Sequence, residues 1–197
     1  MEFASALNAL YRYDAVVDQA RASFKIGKPQ VLLLTDFLAK PVYDALVKEM
    51  DKIRGRELYV PHESRFDEVS LPKQVADFFS SIHFKQFLTH ITGVKVKDII
   101  LSARRFSHQR FSLMYDDAES GERLVFFYTL APATWKATWG GSTIFSFGDH
   151  RAPATFESKG NSLAIMRVPL GMRDFVKYVN HFAAKNSFVK IDGVLRF

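Results

Sequence analysis

Near Asp98 the spacing of apolar residues changes period, and nothing else in the chain limits its fold as strongly. Upstream, Phe3, Leu7, Leu10, Tyr11 and Val17 recur at helical intervals, which predicts a helix within residues 3–24 that ends at Gly27-Lys28-Pro29. Val31-Leu-Leu-Leu34, between Pro29 and Thr35-Asp36, predicts a short buried strand. Pro41 suits the first turn of a second helix, where a missing N–H breaks no hydrogen bond, and Val42, Ala45, Leu46 and Met50 would form its buried face. Residues 54–70 are polar, contain Gly55 and Pro61, and predict a long surface loop. Two further helices are expected over 72–82 and 83–92, the second closed by Gly93.

Downstream of Asp98 the apolar residues come in short runs at 99–106, 110–115, 123–130, 141–147, 162–168, 174–179 and 188–197, separated by turn residues. Short strands at this spacing predict a sandwich or barrel. A helical first half would cover one face of such a sheet. There is no internal repeat, low-complexity tract or convincing linker, so residues 1–197 are expected to form one domain, with 1–95 as helical support and 98–197 as the β core.

Composition excludes several kinds of chemistry. The chain has 197 residues, 48% of them hydrophobic, enough for a sizeable core, and its 19 Phe residues favour a β-rich interior. It has no Cys, which removes disulfides, thiolate metal sites and Cys nucleophiles and fits a reducing cytoplasm. Its start, Met-Glu-Phe-Ala-Ser-Ala-Leu, lacks the charged-then-apolar pattern of a secretory signal. Apolar runs such as 31–34 and 124–128 are too short to span a bilayer, so no membrane partner is expected. A net charge of +6 permits acidic partners. The densest basic groups, Arg104-Arg105 and Lys95-x-Lys97, are too sparse to predict a nucleic-acid surface.

The motifs of the second half give a more specific expectation. Gln109-Arg-Phe-Ser-Leu-Met-Tyr-Asp-Asp117 is followed by Gly121-Glu-Arg-Leu124, the apolar run 125–130 and Trp139-Gly-Gly141. Upstream stand Leu7-Asn-Ala-Leu-Tyr11 and an apolar strand that runs into Asp36-Phe-Leu-Ala-Lys-Pro41, and downstream stands Asn161-Ser-Leu-Ala-Ile-Met166. In order and spacing these segments resemble the prolyl-hydroxylase-like branch of the Fe(II)/2-oxoglutarate dioxygenases over most of the chain. The resemblance implies an α+β, mainly β fold: a double-stranded β-helix, or jelly roll, of about eight strands flanked by N-terminal helices. It also implies Fe(II) and 2-oxoglutarate as cofactors.

That family holds iron with two imidazoles and one carboxylate on one face of the metal. By the resemblance, the first His corresponds to Tyr115 and the carboxylate to Asp117. The distal His is normally followed by valines two and five residues later; Val176 and Val179 therefore assign that position to Asp174, with His181 as the alternative. The Arg that binds the far carboxylate of 2-oxoglutarate corresponds to Lys190. The co-substrate Tyr corresponds to Thr129, with Tyr128 one residue away and on the opposite face of the strand. Tyr115, Asp117 and Asp174 make an all-oxygen set, better matched to hard cations than to an imidazole-rich iron site. Lys190 keeps a positive charge but lacks the bidentate fork of Arg.

Two functions follow from this pattern. One is a jelly roll that has lost its standard iron site and binds a protein, a peptide or a small molecule, its catalytic residues unassigned. The other is an active 2-oxoglutarate-dependent hydroxylase of a peptide side chain, with Asp117, His181 or His108 and Lys190 rearranged around the metal. A different enzyme class on the same scaffold has no motif in its favour, since the chain carries no HExxH, phosphate loop or Ser-His-Asp order.

Overall fold

The computed structural model describes residues 2–113, 122–146 and 152–197. Its helices are α1 (Phe3–Ala6), α2 (Asp14–Ile26), α3 (Lys40–Lys52), α4 (Lys73–Ser80) and α5 (Ile82–Thr92). Pro41 stands in the first turn of α3, the Ser81 hydroxyl caps α5 by accepting from the Phe84 amide, and Gly93 ends α5 in the left-handed conformation. The stripe predicted over residues 3–24 is interrupted. Asn8 accepts the Leu10 amide on its side chain and donates its own amide to the Phe37 carbonyl, so the chain makes a 3-10 turn at Ala9–Arg12 before α2 begins.

Eight described strands follow Asp98: β4 (Asp98–Phe106), β5 (Phe111–Ser112), β6 (Arg123–Leu130), β7 (Thr143–Ser146), β8 (Ala154–Phe156), β9 (Ser162–Val168), β10 (Arg173–Val176) and β11 (Phe188–Arg196). The first half adds β1 (Val31–Thr35), β2 (Arg56–Val60) and β3 (Ser64–Glu68). Every pairing is antiparallel, in the order β1-β9-β6-β11-β4-β3-β5-β10-β7-β8, with β2 against β3. The sheet curls on itself as a jelly roll: β1, β9, β6, β11 and β4 form the broad wall and β5, β10, β7 and β8 the narrow one. β3 joins the two, since it pairs with both β4 and β5.

Two expectations need correction. The expected loop at 54–70 is a hairpin, hidden in the sequence because its strands are charged. A five-residue antiparallel ladder holds it, with Phe66 packed on Phe106 at 5.9 Å, and the charged side chains pair across the strands, Arg56 with Glu68 at 3.0 Å and Arg65 with Glu57 at 2.7 Å. The strand at 31–34 is an edge rather than a buried strand: Leu33 is exposed, and Leu34 alone of the four is buried.

Alternation along β6 sorts its side chains. Leu124, Phe126 and Tyr128 face the helices and join Phe24, Phe37, Phe79 and Phe84 in the main core, where the rings of Phe79 and Phe126 stack at 5.6 Å. Phe127 faces the other way, against Phe145, Phe156, Met166 and Met172 between the two walls. The same rule sends Ile191 of β11 toward the helices and Lys190 and Asp192 into the interior of the roll.

Candidate functional site

Between the two walls lies a cavity of about 280 Å³. Phe127 and Phe145 contribute apolar lining, and Ser112 and Asp174 line it from β5 and β10. Arg104, Arg123, Lys190 and Asp192 bring the remaining charge from β4, β6 and β11. Lys190 is almost fully buried at 2% exposure. Its ammonium donates to Asp192 Oδ1 at 2.6 Å and stands 4.8 Å from the centre of the Phe127 ring. Asp192 accepts on its other oxygen from Arg104, from Nη2 at 2.9 Å and from Nε at 3.1 Å. Burial alone would raise the Asp192 pKa, but the Arg104 guanidinium and the Lys190 ammonium outweigh it and hold the carboxyl below its ordinary range.

The sequence-derived candidates fall in different places. Asp174 is half-buried in β10, paired in register with Phe145, and shares the cavity with Lys190. Thr129 is buried beside Lys190 across the β6–β11 ladder. Tyr128 turns away from the cavity into the helix-side core, where its hydroxyl donates to Asn161 Oδ1 at 2.8 Å. It therefore cannot contact a molecule bound between the walls. His181 is exposed, on the 3-10 turn His181–Ala183, with its ring against Phe182, and is not part of the cavity lining. Tyr115 and Asp117 lie outside the described residues. Among the described residues, no group of three His, Cys, Asp or Glu side chains could hold a metal ion.

Three charged cavity residues, Arg104, Arg123 and Asp192, were not among the sequence-derived site candidates. Asp192 could have been found, because it lies two residues beyond Lys190 on one strand and so on the same face. Arg104 could not, because its place depends on the β4–β11 register that sets it opposite Lys190, 86 positions later in the chain. Its neighbour Arg105 has a different task, donating to the Ile53 carbonyl at 2.7 Å and to the Met50 carbonyl at the end of α3. The densest basic pair in the sequence is thus divided between the cavity and a helix cap.

The Trp139-Gly-Gly141 turn fixes the strand that carries Asp174. Gly140 has φ +91°, and a Cβ there would collide with the Tyr178 carbonyl oxygen. Next to it the Gly141 amide donates to Lys177 and the Asn180 amide donates to Trp139. Only a residue without a side chain lets the turn lie this close to the end of β10.

An antiparallel jelly roll with a charged cavity between its walls is the architecture of the 2-oxoglutarate- and iron-dependent oxygenases. The chain belongs to the family described as oxoglutarate and iron-dependent oxygenase degradation C-term, which it matches over residues 40–196. Solved structures agree on the fold. A 2OG-Fe(II) oxygenase-family oxidoreductase from Burkholderia pseudomallei matches 91% of this chain and 90% of its own, with 12% identity and a TM-score of 0.65. A prolyl-4-hydroxylase from Pseudomonas putida matches 90% of this chain and 98% of its own, with 12% identity and a TM-score of 0.66. A prolyl hydroxylase from Trichoplax adhaerens, solved with a hypoxia inducible factor peptide fragment, matches 93% of this chain and 91% of its own, with 9% identity and a TM-score of 0.69. At these identities the likeness is one of fold. Comparison with curated protein sequences gives no significant match. No described helix is long and apolar enough to cross a membrane.

Proposed function

We propose that this chain is a member of the oxygenase family that has given up the standard iron site and uses its jelly-roll cavity as a binding module, for a protein, a peptide or a small molecule. The observation that carries this reading is the distal ligand position. Asp174, the residue that the valine pattern assigns to the distal ligand, lines the cavity, whereas the alternative, His181, is exposed and is not part of its lining. With Tyr115 and Asp117 supplied by the sequence, the donor set is all oxygen, which fits neither an imidazole-rich iron site nor its affinity. The other half of the chemistry fits no better, since the ammonium expected to receive the 2-oxoglutarate carboxylate is already paired with Asp192.

A second reading keeps the enzyme. Asp174 and Lys190 line one cavity, as a metal ligand and a co-substrate anchor would, so an oxygenase with rearranged ligands that hydroxylates a peptide side chain keeps a geometric basis. The two readings separate on ligand linkage, because a molecule that binds only the native state raises its stability by mass action. Thermal unfolding of chelator-stripped protein should be unchanged by Fe(II) with 2-oxoglutarate under nitrogen. Joint stabilisation by the two, larger than either gives alone, would establish the oxygenase reading instead.

A further inference from the structure

The cavity already contains a carboxylate, and it belongs to the chain. One oxygen of Asp192 receives the Lys190 ammonium at 2.6 Å, and the other receives two N–H groups of the Arg104 guanidinium at 2.9 and 3.1 Å. A small carboxylic acid bound between these cations would need the same seat and the same donors. The seat is held firmly. Lys190 is 2% exposed and its neighbour Phe127 is 4% exposed, so the ammonium has little freedom to turn toward a second anion. Asp192 is fixed two residues along the same strand, in a ladder paired on both sides with β4 and β6. An incoming carboxylate would have to expel that side chain and leave a partly buried charge without its partners.

We infer that Asp192 is a built-in occupant of the cavity's carboxylate seat, so that the native chain refuses small carboxylates and its removal uncovers a binding site for them. The inference rests on the reading above, in which the cavity is not a working 2-oxoglutarate site. It adds that the refusal of carboxylates at the Lys190–Arg104 seat is set by one residue. A ligand of the native protein is then neutral where it faces β11, because the carboxylate seat between Lys190 and Arg104 is already filled.

Acetate and succinate are suitable probes, since neither needs a metal. Wild type, Asp192→Ala and Lys190→Met/Asp192→Ala would be unfolded thermally in each salt with a chelator present, against sodium chloride at equal ionic strength. The wild type should show only the general salt effect of acetate and succinate, equal to that seen in the double variant. Asp192→Ala should be stabilised by acetate and by succinate in a dose-dependent way, with affinity at least about tenfold above wild type, since a charge-assisted hydrogen bond is worth a decade or more. The double variant should lose that gain. Stabilisation of the wild type by succinate equal to that of Asp192→Ala would overturn the inference, as would a folded Asp192→Ala that does not distinguish acetate from chloride. If Asp192→Ala fails to fold in chloride, its refolding yield decides: acetate should restore it, and equal yields in the two salts would overturn the seat. Turnover of 2-oxoglutarate by the wild type would defeat the binding-module reading, whereas absence of both turnover and rescue defeats only the role of Asp192.

Discussion

Asn161 is the polar hinge between the jelly roll and the segment that leads into α3, and its replacement should be among the most damaging single changes in the chain. Its side-chain oxygen accepts from the Leu38 amide at 2.8 Å and from the Tyr128 hydroxyl at 2.8 Å, and its side-chain nitrogen donates to the Leu38 carbonyl at 2.9 Å. Asn161 is 6% exposed, and Leu38 and Tyr128 are fully buried, so water cannot replace what is lost. Three such bonds at about 1 kcal/mol each give about 3 kcal/mol for Asn161→Ala. The backbone adds to this: φ is +57°, a conformation Asn tolerates and Ala pays for with about 1 kcal/mol more. A total near 4 kcal/mol should lower the midpoint of thermal unfolding by about 10 °C in a chain of this size. Chemical denaturation would measure the free energy directly, and a double-mutant cycle with Tyr128→Phe would isolate one bond. Tyr128→Phe should cost about 1 kcal/mol in the wild type and close to nothing once Asn161 is Ala. A loss under about 1 kcal/mol for Asn161→Ala, or an unchanged Tyr128→Phe cost in both backgrounds, would refute the reasoning.

Other consequences can be measured in the same way. Burial pushes the Tyr43 phenol up to about 12, against the pull of its hydrogen bond to Ala131, so the native state keeps the proton while an unfolded chain loses it near 10. Its contribution is intact below pH 10 and is lost as pH rises from 10 to about 12, and Tyr43→Phe should flatten that alkaline decline in a denaturation series. The depressed pKa of Asp192 has the opposite sign. Its contribution is present above the unfolded value of about 3.9 and is lost as pH falls through the lower native value, so below about pH 4 wild type should lose stability more steeply than Asp192→Asn. Gly140→Ala combines a positive φ with a clash against the Tyr178 carbonyl and should cost more than about 2 kcal/mol in urea unfolding, whereas Gly171→Ala, with φ +78° but open space around it, should cost less.

The change of period at Asp98 was enough to read the β core from the sequence, because β6, β9 and β11 are long and bury one or both faces. The Trp139-Gly-Gly141 turn was legible through the family resemblance, and the structure supplies the physical reason for its glycines, a backbone approach too close for a Cβ. The β2–β3 hairpin was hidden because its strands are rich in charged residues, and the sequence of such a strand resembles that of a loop. The break after α1 turned on Asn8, whose side chain competes for an amide that a continuous helix would have used. Within the cavity, Lys190 and Asp174 could be proposed only through the family resemblance. The pairing of Asp192 with Lys190 and Arg104 depends on strand register, which apolar patterning fixes to a face but not to a partner.

Release of succinate from 2-oxoglutarate by the wild-type chain, under Fe(II), ascorbate and O₂, is the most direct measure of what this jelly roll does. On the proposal that Asp174 takes the distal ligand position, and with Lys190 already paired to Asp192, release should not exceed that of a protein-free control, and His181→Ala should change nothing. Robust release by wild type that disappears in His181→Ala would show that an imidazole outside the described cavity lining reaches the metal, and that the chain is a working oxygenase.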